Sequence, residues 1–399
     1  MPRILVLLSL VLVGCPLLRK KPDEAEPAVR GPAPEPEPAP EPAPKRRVAA
    51  DDTGEPPGEP AEIATVRVFY GTDREAREAA APNKRYGMQS ARRLELGVAE
   101  VSIPPGHRMG RVERPSIWKL QFRENPEKHI VLTGLTPRPE DAWLAEIKAT
   151  SVHRAFIYVP GFRSDFAEAA RRTGQIAWDL DYDGLPLLYS WASSGTLDGY
   201  RRDEMSWEQA RPHLRRFLTL AVEQGGITEL SVVAHSMGNR LVASVLQDMA
   251  SDPESPRLDQ LVLAAPDIDA RHFREHLAGV LPGLAGRVTL YISSRDRALA
   301  LSRNLHDGPR AGEPEGGLLG LGGIDTIDAS AVSTDFMGHD YYAESDTLLT
   351  DLHCLLGAGT PPERRPALRP VWDKPKTWWV ILNLAAMRAA GKEPAVCHP

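Results

Sequence analysis

The sequence has no excess of basic residues: 48 Lys and Arg are outnumbered by 54 Asp and Glu, for a formal net charge of -6. Nucleic-acid binding rests on a basic footprint, so no nucleic-acid partner is expected. The amino-terminal apolar stretch, Ile4 to Val13, is too short to span a bilayer, which takes roughly 20 residues. Cysteine is scarce, at three residues. With Cys15 set aside for the reason given next, Cys354 and Cys397 are left as a disulfide that an exported protein could form. Sequence spacing does not say whether they meet.

What is present begins with a targeting segment. Arg3 supplies a small positive region, the apolar stretch follows, and Leu12-Val13-Gly14-Cys15 closes it. This ending resembles a bacterial lipobox, which implies that Cys15 is lipidated and becomes the first residue of the mature chain. The other reading is an ordinary signal peptide with a cysteine near its cleavage site. A diacyl or triacyl anchor holds a protein on a membrane with no transmembrane helix. The resemblance thus places the protein in the bacterial cell envelope, and Pro16, standing where an aspartate would retain it at the inner membrane, implies the outer membrane in a host that has one. From Lys20 to Glu62 the chain is rich in proline and charge, a composition that cannot bury a core and favours extended polyproline conformations. At about 3.1 Å per residue it is a tether with a reach on the order of 100 Å. The expected division is a signal peptide over 1–15, a linker over 16–62, a folded domain over 63–358 and a carboxyl-terminal extension over 359–399.

Within the folded domain a single stretch organises the rest: Leu230-Ser231-Val232-Val233-Ala234-His235-Ser236-Met237-Gly238-Asn239. An apolar β-branched run stops at Ala234, and Leu241, Val242, Val245, Leu246 and Met249 then follow at helical spacing. Strand, sharp turn and helix in this order present a serine hydroxyl outward, with small residues two before and two after it. Here those neighbours are Ala234 and Gly238, the alanine replacing the usual glycine. The turn also offers the N–H of Met237, at a helix start, to a developing oxyanion. A serine before a helix can also be an ordinary N-cap, so the reading depends on partners elsewhere.

The surrounding chain alternates strands with helices, which argues for right-handed crossovers and a mostly parallel sheet. The strand Ala64 to Arg74, the strand Leu94 to Ile103 and the strand Ile130 to Leu132 form an antiparallel opening. Asp73 and Arg74 end the first, as a pair, a cleft wall or a solvated turn. Ala155 to Val159 is an unbroken apolar run, as in a strand buried on both faces. Its turn, Pro160-Gly161-Phe162, precedes a helix from Asp165 to Leu180; in a hydrolase of this architecture it would supply the second oxyanion N–H, from Phe162, and otherwise it is a simple strand-to-helix connection. Further strands are expected at Leu187 to Trp191, Leu261 to Ala265, Val288 to Ile292 and Ile324 to Asp328, with a helix from Trp207 to Glu223. The candidate polar groups all fall just past carboxyl ends of strands, the ligand-binding edge of open α/β sheets.

A serine hydroxyl needs an imidazole base and a carboxylate to orient that base. After Ser236 the histidines are His272, His276, His306, His339, His353 and His398. His272 and His276 share a helical face, His353 falls in a helical run and His306 in a loop before the last strand. His339 follows that strand directly, as the base should. For the acid, Asp296 follows the second strand after the serine strand, the usual place, while Asp267 and Asp269 follow the intervening one and have helix N-capping as their ordinary role. Asp335 and Asp340 flank the base within its own loop.

Phe69-Tyr70-Gly71-Thr72-Asp73-Arg74, Tyr86-Gly87, Val101-Ser102-Ile103-Pro104, Gly110-Arg111-Val112-Glu113-Arg114-Pro115, Tyr189-Ser190-Trp191, Ala234-His235-Ser236-Met237-Gly238-Asn239, Tyr291 to Leu299 and Gly338-His339 together resemble a bacterial family of uncharacterised α/β-hydrolases, over about Val66 to Leu356. The resemblance implies the α/β-hydrolase fold, with Ser236 as nucleophile, Asp296 as acid and His339 as base. The function expected is a lipid-anchored serine hydrolase cleaving a carboxylic ester or thioester, with a small-molecule or lipid ester as substrate and no cofactor or metal. A peptidase or acyltransferase would use the same residues, and a noncatalytic envelope binding or scaffold protein would keep the fold alone. In the tail, Trp378-Trp379-Val380-Ile381-Leu382 is expected to pack back onto the core rather than on a membrane.

Overall fold

The computed structural model describes residues 62–79, 81–115, 123–194, 199–252, 254–332, 346–373, 376–391 and 397. Cys15, Pro16, the tether, the loop with Asp335, His339 and Asp340, and His398 lie outside the described residues. Among the described residues eleven strands form one sheet: β1 (Ala64–Ala76), β2 (Tyr86–Ile103), β3 (Val131–Arg138), β4 (Arg154–Val159), β5 (Leu185–Ser190), β6 (Glu229–His235), β7 (Leu258–Ala264), β8 (Ala285–Ile292), β9 (Asp325–Asp328), β10 (Leu368–Asp373) and β11 (Lys376–Ile381). The helices are α1 (Glu140–Ala149), α2 (Phe166–Asp179), α3 (Tyr200–Thr219), α4 (Gly238–Met249), α5 (Ala270–His272), α6 (Leu281–Leu284), α7 (Arg297–His306), α8 (Asp346–Ala358) and α9 (Leu384–Ala389). Among the described residues no helix is long and apolar enough to cross a membrane.

The strand order is β10-β11-β9-β8-β7-β6-β4-β5-β1-β2-β3. From β1 to β11 the pairings are parallel, and β2, β3 and β10 add antiparallel edges. Alternation along each strand divides the core between two faces. Ile157, Val159, Val232, Ala234, Leu261 and Leu263 pack with α1, α3 and α4. Phe156, Tyr158, Val233, Val262 and Tyr291 pack on the other face with α2 and α8. Both faces are covered, which is why the central strands read as unbroken apolar runs. The helix expected from Trp207 begins earlier, at Tyr200, and its last turn relaxes into a π-helical segment, Leu220–Gln224.

The sheet does not end where the expected extension begins. β11 pairs in parallel with β9, and β10 closes the edge. Leu368, Ile381 and Met387 are fully buried. Trp379 is also buried, so this aromatic does pack onto the core, whereas Trp372 stands exposed at 72%. Cys397 is bonded to Cys354 on α8, with their Cα atoms 5.1 Å apart.

The irregular stretch after β2 is held by a buried charge. The two ring nitrogens of His107 meet Glu113 Oε2 at 2.9 Å and Asp179 Oδ1 at 2.6 Å. Burial alone would lower its pKa, but the two carboxylates outweigh it and raise the imidazole to about 9. Because the folded value lies above the ordinary 6.5, this contribution is complete below pH 6.5 and is lost as pH climbs towards 9. It is on the order of 3 kcal/mol. The melting temperature of the wild type should therefore fall over that window more steeply than that of His107→Gln. Parallel pH profiles for the two proteins would refute this.

Candidate active site

Chain order and sheet order diverge at β4. β5 is laid on one side of it and β6 on the other, so the turns after β4 and β6 open side by side at a topological switch point. Their register sets the distance: Val159 pairs with Ala234, which places Pro160 and Gly161 beside His235 and Ser236. Further along, His235 pairs with Ala264, Ala264 with Tyr291 and Ile292 with Asp328. One edge of the sheet thus carries Ser236, Asp267, Asp296 and the start of the segment leading to His339.

Ser236 holds φ at +49°, a left-handed conformation that costs a non-glycine residue of the order of 1–3 kcal/mol and persists only where the surroundings enforce it. Three bonds, to the carbonyls of Ser236 and of Ala264 at the end of β7, do so. Asn239 Nδ2 donates to Ser236 O at 3.0 Å and to Ala264 O at 3.1 Å, and Ser236 N donates to Ala264 O at 3.0 Å. Ser236 is partly exposed while Ser231 to His235 and Met237 to Asn239 are buried, so the turn offers its serine to solvent. Tight packing explains the glycines. A Cβ on Gly238 would lie 2.7 Å from Val159 O, and one on Gly161 would lie 2.8 Å from Ser236 Cβ. Ala234 pairs inside the strand and is fully buried, which is why an alanine suffices there. Met237 is buried at the start of α4, and Phe162, in the turn against Ser236, packs on Tyr200 with ring centroids 5.2 Å apart.

The candidate acids differ in what already holds them. Asp267 is a buried hub: Oδ1 accepts from Ser302 Oγ and from Arg310 Nε at 2.8 Å, and Oδ2 accepts from Tyr200 OH at 2.7 Å and from Arg240 Nη2 at 3.1 Å. Burial raises its pKa, yet the guanidiniums of Arg240 and Arg310 hold it below the ordinary carboxylate value. Four donors occupy its lone-pair directions. Its role is therefore ion pairing rather than the N-capping expected for it. Asp269 does cap, accepting from His272 N at 2.8 Å. Asp296 is partly exposed just past β8 and uses Oδ1 to cap α7, accepting from Ala298 N and Leu299 N.

Of the other described histidines after Ser236, His306 joins the Asp267 cluster through Tyr200, and His272, His276 and His353 have other surroundings. His272 and His276 lie together on an exposed face. His353 Nδ1 lies 2.6 Å from Leu180 O. His306 sits at the end of α7 rather than in a loop, with Nε2 3.1 Å from Tyr200 OH and 3.0 Å from Glu204 Oε1.

Asp73 and Arg74 do not form a solvated turn: both are buried, at 0% and 1% exposure. Ser90 Oγ donates to Asp73 Oδ2 at 2.8 Å, and burial pushes this carboxyl above its ordinary pKa. Sequence reasoning also assigned no role to Asn239 and did not foresee the Asp267 cluster. Asn239 had a usable signal, since a residue three past a turn on a helix faces back to it; the cluster draws on α3, α4, α7 and two loops and had none. Among the described residues no group of three or more His, Cys, Asp or Glu is arranged to hold a metal ion.

No curated protein matches this chain. A family model described as alpha/beta hydrolase of unknown function (DUF900) matches residues 137–358, more than half of the chain and the span from the end of β3 through α8, and the fold has the mostly parallel sheet and antiparallel opening of such hydrolases. The chain belongs to this family of α/β-hydrolases.

Proposed function

We propose that the protein is a serine hydrolase acting on a carboxylic ester or thioester. The observation that carries this reading is Ser236, a non-glycine residue at φ +49°, partly exposed at the switch point, with glycine backbone pressed against it from the neighbouring turn. Its Oγ attacks the acyl carbon while His339, assigned from the sequence, takes the proton and Asp296 orients that imidazole. The N–H groups of Met237 and Phe162 hold the oxyanion. Collapse of the tetrahedral intermediate expels the alcohol or thiol, which receives the proton from His339, and water attacking the acyl-enzyme by the same route releases the acid. The proposal includes a lipid on Cys15 that keeps the enzyme at the cell envelope.

One experiment addresses both the chemistry and the anchor. A fluorophosphonate applied to cells expressing the full chain should label the protein, and the label should partition into the detergent phase. In Ser236→Ala the label disappears and turnover falls by about 10⁴-fold or more; in Cys15→Ala the label persists but moves to the aqueous phase. Wild type that takes no label, or Ser236→Ala that takes as much, excludes the hydrolase reading.

A further inference from the structure

The turn that would supply the second oxyanion N–H, Pro160 to Ser164, contains a residue in a strained conformation. Arg163 holds φ at +65°, and it lies directly after Phe162. Such a conformation in a non-glycine residue must be imposed by its surroundings. The groups bonded to the two ends of the turn come from β1 and from just past β5.

Arg74 reaches the turn from the end of β1. Its guanidinium is 1% exposed and is stretched between four acceptors. Nη2 donates to Ser164 O at 2.6 Å, Nη1 to Ser193 O at 3.0 Å and to Gly87 O at 3.1 Å, and Nε to Ser190 Oγ at 2.9 Å. A guanidinium has five donors in a rigid planar fork, so fixing three of its arms fixes the fourth. The arm on Ser164 O is thus set by β2 and β5, not by the turn it holds. Trp191 takes the other end: its Nε1 donates to Pro160 O at 2.7 Å, and its ring is fully buried. The loop that carries Trp191 is itself fastened, as Asp203 accepts from Ser193 Oγ at 2.7 Å and Ser194 N at 2.6 Å. Both carbonyls that bound Gly161, Phe162 and Arg163 are therefore tied to one buried frame.

We propose that Arg74 and Trp191 are positioning residues that hold the Pro160–Ser164 turn in the conformation that aims the Phe162 N–H at the reacting oxygen. Neither touches substrate. Their effect is on the placement of a donor whose contribution is confined to the transition state, where displacement of about 1 Å costs on the order of 10²-fold. The inference rests on the hydrolase reading of Ser236.

The test compares Arg74→Lys and Trp191→Phe with wild type on a chromogenic ester, with turnover expressed per site titrated by the fluorophosphonate. Lysine keeps the charge but not the fork, and phenylalanine keeps the ring but not the N–H. Each variant should lose about 10- to 100-fold in kcat per titrated site with KM within about twofold of wild type. Affinity for an aryl boronate, which mimics the tetrahedral adduct, should fall in step with kcat/KM. A merely structural role would lower the number of titratable sites and leave turnover per site unchanged; that result overturns the inference. Should Arg74→Lys fail to fold, Trp191→Phe decides alone by the same criterion. Wild type that takes no fluorophosphonate overturns the hydrolase reading and this inference with it, whereas labelled wild type with unaffected variants overturns only the inference.

Discussion

Asp296→Asn is expected to lower ester turnover by about 10³- to 10⁴-fold with little change in stability. Asparagine keeps an oxygen that can still cap α7 through Ala298 N and Leu299 N, and Asn caps a helix about as well as Asp. On the proposed mechanism, what the substitution removes is the negative charge that stabilises a protonated imidazole and selects its tautomer. Asp267→Asn should behave in the opposite way. It leaves Arg240 and Arg310 without the carboxylate they share in a buried site, so the loss falls on stability, by several kcal/mol. Turnover per fluorophosphonate-titrated site should stay within about tenfold. Steady-state kinetics and thermal melts on the two variants decide between the acids; a larger loss per site in Asp267→Asn would transfer the role to Asp267. Asp267 is already saturated by Ser302, Arg310, Tyr200 and Arg240 and has no direction left for an imidazole N–H.

Arg365→Met is expected to cost about 3–5 kcal/mol of stability, the largest loss anticipated for a single substitution away from the active site. Arg365 and Asp351 are both fully buried, with Arg365 Nη1 3.0 Å from Asp351 Oδ2. Tyr291 OH donates to the same oxygen, so the pair links β8, α8 and the segment leading into β10. Burial raises the Asp351 carboxyl above its ordinary pKa even with the guanidinium beside it. Removing Arg365 leaves that carboxylate with only a phenol, or forces it to bind a proton. Asp351→Leu combined with Arg365→Met should recover part of the loss, because two matched apolar groups replace a buried pair at little net cost while the Tyr291 hydroxyl loses its acceptor. Urea unfolding of wild type, the single variants and the double variant measures this, and a single-variant cost below about 1 kcal/mol would sink it. The disulfide from Cys354 to Cys397 fastens the same α8 to the chain end, so the comparison is made under oxidising conditions throughout.

Residues in one strand or helix are placed by local rules, and these were legible in the sequence. The β-branched run before Ser236, the small residue two positions on and the helical spacing after it set strand, turn and helix before any contact is known. The unbroken apolar run Ala155 to Val159 announced a strand covered on both faces, and repeated alternation of strand and helix announced the parallel sheet. Where the chain departs from these readings, the cause is distant. Trp378 to Leu382 reads as an apolar tail, yet most of it lies in the strand β11, because the free edge of β9 offers it hydrogen bonds. Asp73 and Arg74 read as an ordinary polar strand end, yet they are buried because Ser90, Ser164, Ser190 and Ser193 converge on them.

The sequence by itself determined that a serine stands on a sharp strand-to-helix turn, and which carboxylates follow which strands, because period and turn chemistry act over a few residues. Only the tertiary structure decided that β4 and β6 lie side by side, so that Gly161 meets Ser236, that Asp267 is taken up by two arginines from separate elements, and that Arg74 and Trp191 hold the facing turn. Those outcomes depend on strand order and register, and on buried polar groups finding partners far away along the chain, which no local pattern encodes.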